Sequence, residues 1–197
     1  MNVLLALGSG AIIGIVAAVV VVVILVVAII GWYISTYNRI MRLSNKVEEA
    51  WSTIDVSLKK RYDLIPNLVN TVKGYAAHER ETLEAVISAR NAAMSATGDA
   101  KIEAESALTG TLKTLFALQE AYPTLKADTS FLNLQSQLQN IENEISTARR
   151  YYNGVVREFN TLFDVFPAKI VAKRTGLSKR KLFEIEEAER KNVTVEF

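Results

Sequence analysis

Two patterns of apolar and polar positions divide the chain. Residues 11–34, AIIGIVAAVVVVVILVVAIIGWYI, are apolar without a break. From Tyr37 onward the apolar residues instead recur every three or four positions. The first pattern predicts a membrane-spanning helix, because about 20 residues at roughly 1.5 Å each cross a hydrocarbon core of about 30 Å. Val and Ile are poor helix formers in water. In lipid every backbone polar group must be satisfied within the segment, and a helix does that. Trp32, Tyr33 and Tyr37 gather at its C-terminal edge, where amphipathic rings favour the interface. A cleaved signal peptide fits poorly, since it needs a positive start and an apolar stretch of only about 7–15 residues.

The second pattern predicts long amphipathic helices. Val47, Trp51, Ile54, Leu58, Ile65, Leu68 and Val72 follow a helical rhythm that extends to about Met94. SATGDA, residues 95–100, interrupts it with a turn. A second helix follows over about 101–121, with Leu108, Leu112, Leu115 and Leu118 on its apolar side. Pro123 stops it, and Asp128, Thr129 or Ser130 can cap the next. The clearest seam then runs through Phe131, Leu134, Leu138, Ile141, Ile145, Ala148, Tyr152, Val155, Phe159, Leu162 and Phe166 in heptad steps, closed by Pro167. A striped helix must bury its stripe. Short connectors favour folding back within one chain over an extended coiled-coil stalk. The fold class is therefore all-α: a transmembrane helix, then an antiparallel bundle of three to four long helices. The boundaries read as an anchor over 1–36, the bundle over 37–167 and a tail over 168–197, extended or partly helical. Within the tail, Ser178 can cap a short helix, and NVTVEF alternates like a strand.

Pro66 breaks the rule for the first amphipathic helix. It removes a backbone donor and crowds the preceding turn, so it either begins a new helix or kinks an existing one. If it starts a helix, Asp63 lies near the positive end. If it sits inside one, the carbonyl of Tyr62 needs another partner. Arg61 falls on the apolar seam and requires an acid. Asp55, Asp63, Glu142 and Glu144 are the candidates, and a buried ion pair that sets helix register is favoured over a ligand site. ARRYYN, residues 148–153, is a second polar cluster. Tyr152 is on the seam, and Arg149 and Arg150 are expected to pair across the bundle with acids of the first helix or to form a docking patch.

Charge changes the picture in one respect. The net charge is only +2, but residues 1–38 carry none of the 23 basic or 21 acidic side chains. Arg39, Arg42 and Lys46 follow the apolar run, which places the large domain in the cytoplasm and the N-terminus outside. Interleaved charges give no reason to expect nucleic acid. Lys173, Arg174, Lys179, Arg180 and Lys181 could touch anionic lipid, although a solvated tail is the plainer reading. Gly10, Gly14 and Ala18 recur every four residues and offer a close-packing face for a second copy.

Several motifs resemble the LemA family: AWSTIDVSLKKRYDLIPNLVNTVKGYAAHE, EAYPTLKA, IENEISTARRYYN and FNTLFDVFPAKIVA, in that order behind one membrane segment. The resemblance covers roughly residues 37–175. It implies a bacterial, membrane-anchored domain like a four-helix bundle, and the expected location is the bacterial inner membrane. One branch of that family is associated with magnetosome membranes, and nothing in these motifs marks the chain as part of it. The family supplies no agreed catalytic residue.

Candidate chemistry is sparse. His78 is the single His, and AAHERE lacks the second His of a zinc-protease helix. Cys is absent, so metal binding would need carboxylates alone. No Gly-rich loop precedes a Lys–Ser or Lys–Thr pair. No catalytic residue, cofactor or metal is expected. The expected function is a non-enzymatic, self-associating scaffold or interaction protein of the bacterial envelope. Its expected partners are the bilayer, copies of itself and another membrane protein. The alternative is a stress or signalling adaptor that couples a partner such as a membrane protease to the bilayer.

Overall fold

The computed structural model describes residues 2–183, with side-chain surroundings from Ile13 onward except at Asp99. The helices are α1 (Asn2–Tyr75), α2 (Arg80–Ser95), α3 (Asp99–Ala117), α4 (Pro123–Lys126), α5 (Thr129–Thr161) and α6 (Ala168–Ala172). A single 3-10 turn, Leu118–Glu120, follows α3. No strand occurs among the described residues. Residues 177–183 have no regular structure, so no helix starts at Ser178 within them. The rest of that tail, including NVTVEF, lies outside the described residues.

Pro66 does not begin a helix: α1 continues through it to Tyr75. The helical rhythm is instead broken at Ala76–Glu79, which carries the chain from α1 into α2. Two side-chain bonds hold this end of the bundle. The Tyr75 hydroxyl donates to Asp128 Oδ2 at 2.7 Å, and the Tyr122 hydroxyl donates to Glu79 Oε1 at 2.9 Å. The turn after α2 needs Gly98, whose φ of 59° disfavours a side chain. Asp128 caps α5 by accepting from the Phe131 amide at 2.7 Å.

The chain divides into two compact units. The first comprises Met1–Asn45 and Glu158–Lys179. In it, the apolar residues of α1 from Ile13 to Ile34 are bare except for half-buried Tyr33, and burial starts at Ile40 and Leu43. A row of Val and Ile this long is untenable in water and suits lipid. Phe159, Leu162, Val171 and Ala172 are buried, and Phe159 meets Phe163 edge-on at 5.1 Å. The seam expected to end at Phe166 stops at Leu162. α5 is finished by Thr161, and Phe166 is 77% exposed.

The second unit comprises Lys46–Arg157 and the chain from Arg180. It is a bundle of α1, α2, α3 and α5. Ile54, Leu58, Ile65 and Leu68 of α1, Leu83 and Val86 of α2, Leu108 and Leu115 of α3, and Leu138 and Ile145 of α5 are all buried. Each fully buried side chain of this size contributes about 1.5–3 kcal/mol. Leu134, placed on the seam by spacing, is only half-buried.

Candidate functional site

The helical stripe of α1 delivers Arg61 into the middle of the bundle because it lies three positions after Leu58 and four before Ile65. There it is fully buried. A bare guanidinium at that depth would cost several kcal/mol. The neighbouring helices answer it with two acids. Its Nη2 donates to Glu105 of α3, and its Nη1 donates to Glu142 Oε1 of α5 at 2.7 Å and to Thr109 Oγ1 at 3.2 Å. The Tyr62 hydroxyl donates to the other Glu105 oxygen. Arg61 Nε has no hydrogen-bond partner among the described residues. Burial pushes the Glu105 carboxyl above the ordinary glutamate range, against the pull of the Arg61 and Arg149 charges.

One of the four acids proposed for Arg61 is thus its partner, and the other three are engaged elsewhere. Asp63 pairs with Lys59 at 3.1 Å, Asp55 with Lys101 at 2.9 Å, and Glu144 with Lys60 at 2.9 Å. Glu105 escaped sequence reasoning. It lies three residues before Leu108 and seven before Leu112, so a charge on that apolar stripe was the available signal.

Pro66 supplies no N–H to the carbonyl four residues earlier, that of Tyr62. Arg90 of α2 fills the gap, donating from Nε to the Tyr62 oxygen at 2.8 Å. Arg90 lies on the α2 stripe between Val86 and Ala93. Arg61, Glu105 and Arg90 therefore share one feature: each is a charge standing where spacing calls for an apolar residue.

A second cluster surrounds Trp51. Tyr152 meets it edge-on at 5.4 Å, and the Phe183 ring lies 5.9 Å away on a tilt. The Arg149 guanidinium stacks 4.2 Å from the Phe183 ring centroid. Asn153 fixes Phe183 by its backbone, accepting from the amide at 2.7 Å and donating to the carbonyl at 2.8 Å. Tyr152 is buried, and its hydroxyl donates to the Lys181 carbonyl at 3.1 Å. Arg150 points outward and bonds Thr147 at 3.2 Å. The Arg149 guanidinium thus stacks on a ring while its charge also acts on the Glu105 carboxyl, and Arg150 lies on the exposed side of α5.

Beside these clusters, α1 and α5 leave an open groove of about 1040 Å³, with Ser52, Val56, Lys60, Asn143, Thr147 and Tyr151 on its walls. Val56 and Tyr151 are more than half and about half exposed there. His78 is exposed in the turn after α1, beside Arg80 and Glu81 in a shallow hollow. No group of three His, Cys, Asp or Glu able to hold a metal occurs among the described residues. Gly14 has nothing within 4 Å of where a Cβ would stand, and Ala18 is exposed. The side-chain surroundings of Gly10 lie outside the described residues.

What the arrangement does chemically is hold helices in register, through one cation that ties α1 to α3 and α5 and another that ties α2 to α1. The chain is also similar to known proteins. Residues 50–197 match the LemA family. Protein LemA of Metamycoplasma hominis is 28% identical over 163 residues, covering 82% of this chain and 74% of that protein. Magnetosome protein MamQ 2 of Paramagnetospirillum magneticum is 23% identical over 184 residues, covering 80% and 68%. Magnetosome protein MamQ of Magnetospirillum gryphiswaldense is 20% identical over 183 residues, covering 79% and 67%.

Proposed function

The chain belongs to the LemA family, and from that premise we propose that it is a non-enzymatic, single-pass membrane scaffold of the bacterial envelope that associates with copies of itself. One observation carries the proposal. A single helix, α1, is bare and wholly apolar over Ile13–Ile34 except at Tyr33, and carries a buried stripe from Ile40 onward. Anchor and platform are the same covalent element. The small residues Gly14 and Ala18 share a face on its apolar stretch, and a second copy of the helix can approach closely there. In this reading the bundle stands on the cytoplasmic side of the inner membrane, in keeping with Arg39, Arg42 and Lys46 after the span. In-membrane cross-linking of the full chain tests the self-association, with discrete multimers expected that Gly14→Ile depletes. A monomer at every cross-linker length overturns it. Protease digestion of intact and opened cells tests the orientation, with cleavage of the bundle expected only after opening.

The groove between α1 and α5 favours a second reading, an adaptor that holds a membrane protein partner such as a protease. Its exposed Val56 and Tyr151 suit the apolar face of a partner helix. A partner that survives mild detergent and is lost on Val56→Glu supports this reading. Retention of that partner by the variant removes it.

A further inference from the structure

In the first unit the chain leaving α5 turns over residues 162–167 and enters α6 with an apolar face turned outward. Phe166 is 77% exposed, and Val165 and Ile170 are nearly half exposed. Three large apolar side chains within six residues make an unusual surface for a segment that packs Leu162, Val171 and Ala172 beneath it. The surrounding charge is one-sided. Lys169, Lys173 and Arg174 are exposed and form no ion pair among the described residues. The nearby acid, Asp164, is matched by Lys179 at 2.7 Å.

The register of the helices gives the height of this face. α5 runs antiparallel to α1, as the pairings of Trp51 with Tyr152 and of Arg61 with Glu142 require. In the first unit Arg39 meets Glu158 at 3.4 Å. α5 has three residues left after Glu158, ending at Thr161. They advance about 4.5 Å at roughly 1.5 Å per residue, and the same length of α1 leads back from Arg39 to about Thr36. The turn therefore begins level with Tyr33 and Tyr37, the rings that close the apolar run.

We propose that residues 163–174 form a second membrane contact. Phe166, flanked by Val165 and Ile170, enters the boundary between headgroups and acyl chains of the bilayer that holds α1. Lys169, Lys173 and Arg174 meet the phosphates of anionic lipids. The contact rests on the reading of α1 as a membrane anchor. It follows from continuity with that anchor and from positive charge that no acid among the described residues pairs. Each basic residue near an anionic surface weights the docked state about fivefold.

The chain has no Cys, so single labelling sites are unambiguous. Full-length protein carrying a nitroxide at Val165→Cys, with Phe166 intact, is placed in mixed phosphatidylcholine–phosphatidylglycerol vesicles. Labels at Val23→Cys and Ile87→Cys mark lipid and water. The label at 165 is expected to collide with oxygen in preference to a soluble nickel chelate, at a depth of about 5–10 Å below the phosphates. Adding Phe166→Gln moves it into water without loss of helicity, since that ring supports no core. Neutralising Lys169, Lys173 and Arg174 to Gln raises its chelate accessibility in the mixed vesicles and not in phosphatidylcholine alone. A label in water at 165 while the label at 23 is in lipid overturns the contact and leaves the anchor standing. A label at 165 shielded from both reagents also overturns it, because protein then covers the face. A label in water at 23 removes the anchor itself.

Discussion

Replacing Arg61 by Met removes the charge and keeps most of the volume. Glu105 then remains with no accessible surface and without the cation hydrogen-bonded to it, whereas Glu142 retains about a third of its side-chain surface for water. The cost is therefore borne at Glu105. Breaking one half of a buried pair costs about 3–5 kcal/mol, a large share of the roughly 5–15 kcal/mol that holds a domain together. The double variant Arg61→Met/Glu105→Gln leaves no fully buried carboxylate without its cation, Glu142 keeping its access to water, and it keeps an acceptor for Tyr62. It is expected within about 1 kcal/mol of the parent, because buried pairs replaced together are often neutral. The effect has a pH signature. Glu105 has its native pKa raised above the ordinary value of 4.5. Such an acid gains a proton on folding, so its favourable contribution is full below 4.5 and is lost as pH rises through the raised native value. Losing Arg61 raises that value further. The deficit of Arg61→Met is thus smallest near pH 4.5 and grows toward neutrality. Urea unfolding of the detergent-held full chain measures it. With Trp32→Phe, Trp51 is the sole remaining tryptophan of two and reports from beside Tyr152 and Phe183. A single variant that costs less than about 1 kcal/mol, or a double variant that merely adds the two single losses, refutes the reasoning.

Three further expectations follow from single contacts. Arg90→Met leaves the Tyr62 carbonyl unpaired at a cost of about 1–3 kcal/mol in the same urea assay, and Pro66→Ala in that background recovers about 1 kcal/mol by returning the missing donor; full additivity of the two changes counts against the assignment. Asn153→Leu removes both bonds to the Phe183 backbone, and trypsin is expected to cut after Arg180 and Lys181 at least about tenfold faster, with the fragments read by mass. Asp128 is held below the usual aspartate range first by the Phe131 amide and then by Tyr75. Its stabilisation is present above 3.8 and fades as pH falls through the lowered native value, so Asp128→Asn flattens the acid limb of thermal melts.

The long elements were legible because burial repeats with the helical period. Ile54, Leu58, Ile65 and Leu68 could be read from spacing and are buried. Arg61 could be singled out for the same reason, as a charge in an apolar slot. Its main acid could not be chosen, because choosing it requires knowing which helix faces α1, and period alone carries no neighbour information. Asp55, Asp63 and Glu144 were plausible by proximity in sequence or by position on α5, yet nearer lysines engage them. The break at Ala76–Glu79 left no Pro or Gly inside it to see. Pro66 was the louder signal and proved compatible with a continuous helix because Arg90 satisfies the exposed carbonyl. Phe166 continued a heptad count by one step too many, since the helix beneath that count had ended at Thr161.

The grip on Phe183 has a consequence of its own. An amide side chain recognises any peptide unit alike, so Asn153 alone would accept whichever residue slid into reach. The slot formed by Trp51 and the flat face of Arg149 accepts only a ring. Acting together, the two devices work as an address: one checks that a backbone has arrived, the other checks which letter it bears. A slip by a single residue would present Leu182 or Glu184 and fail the second check even while passing the first.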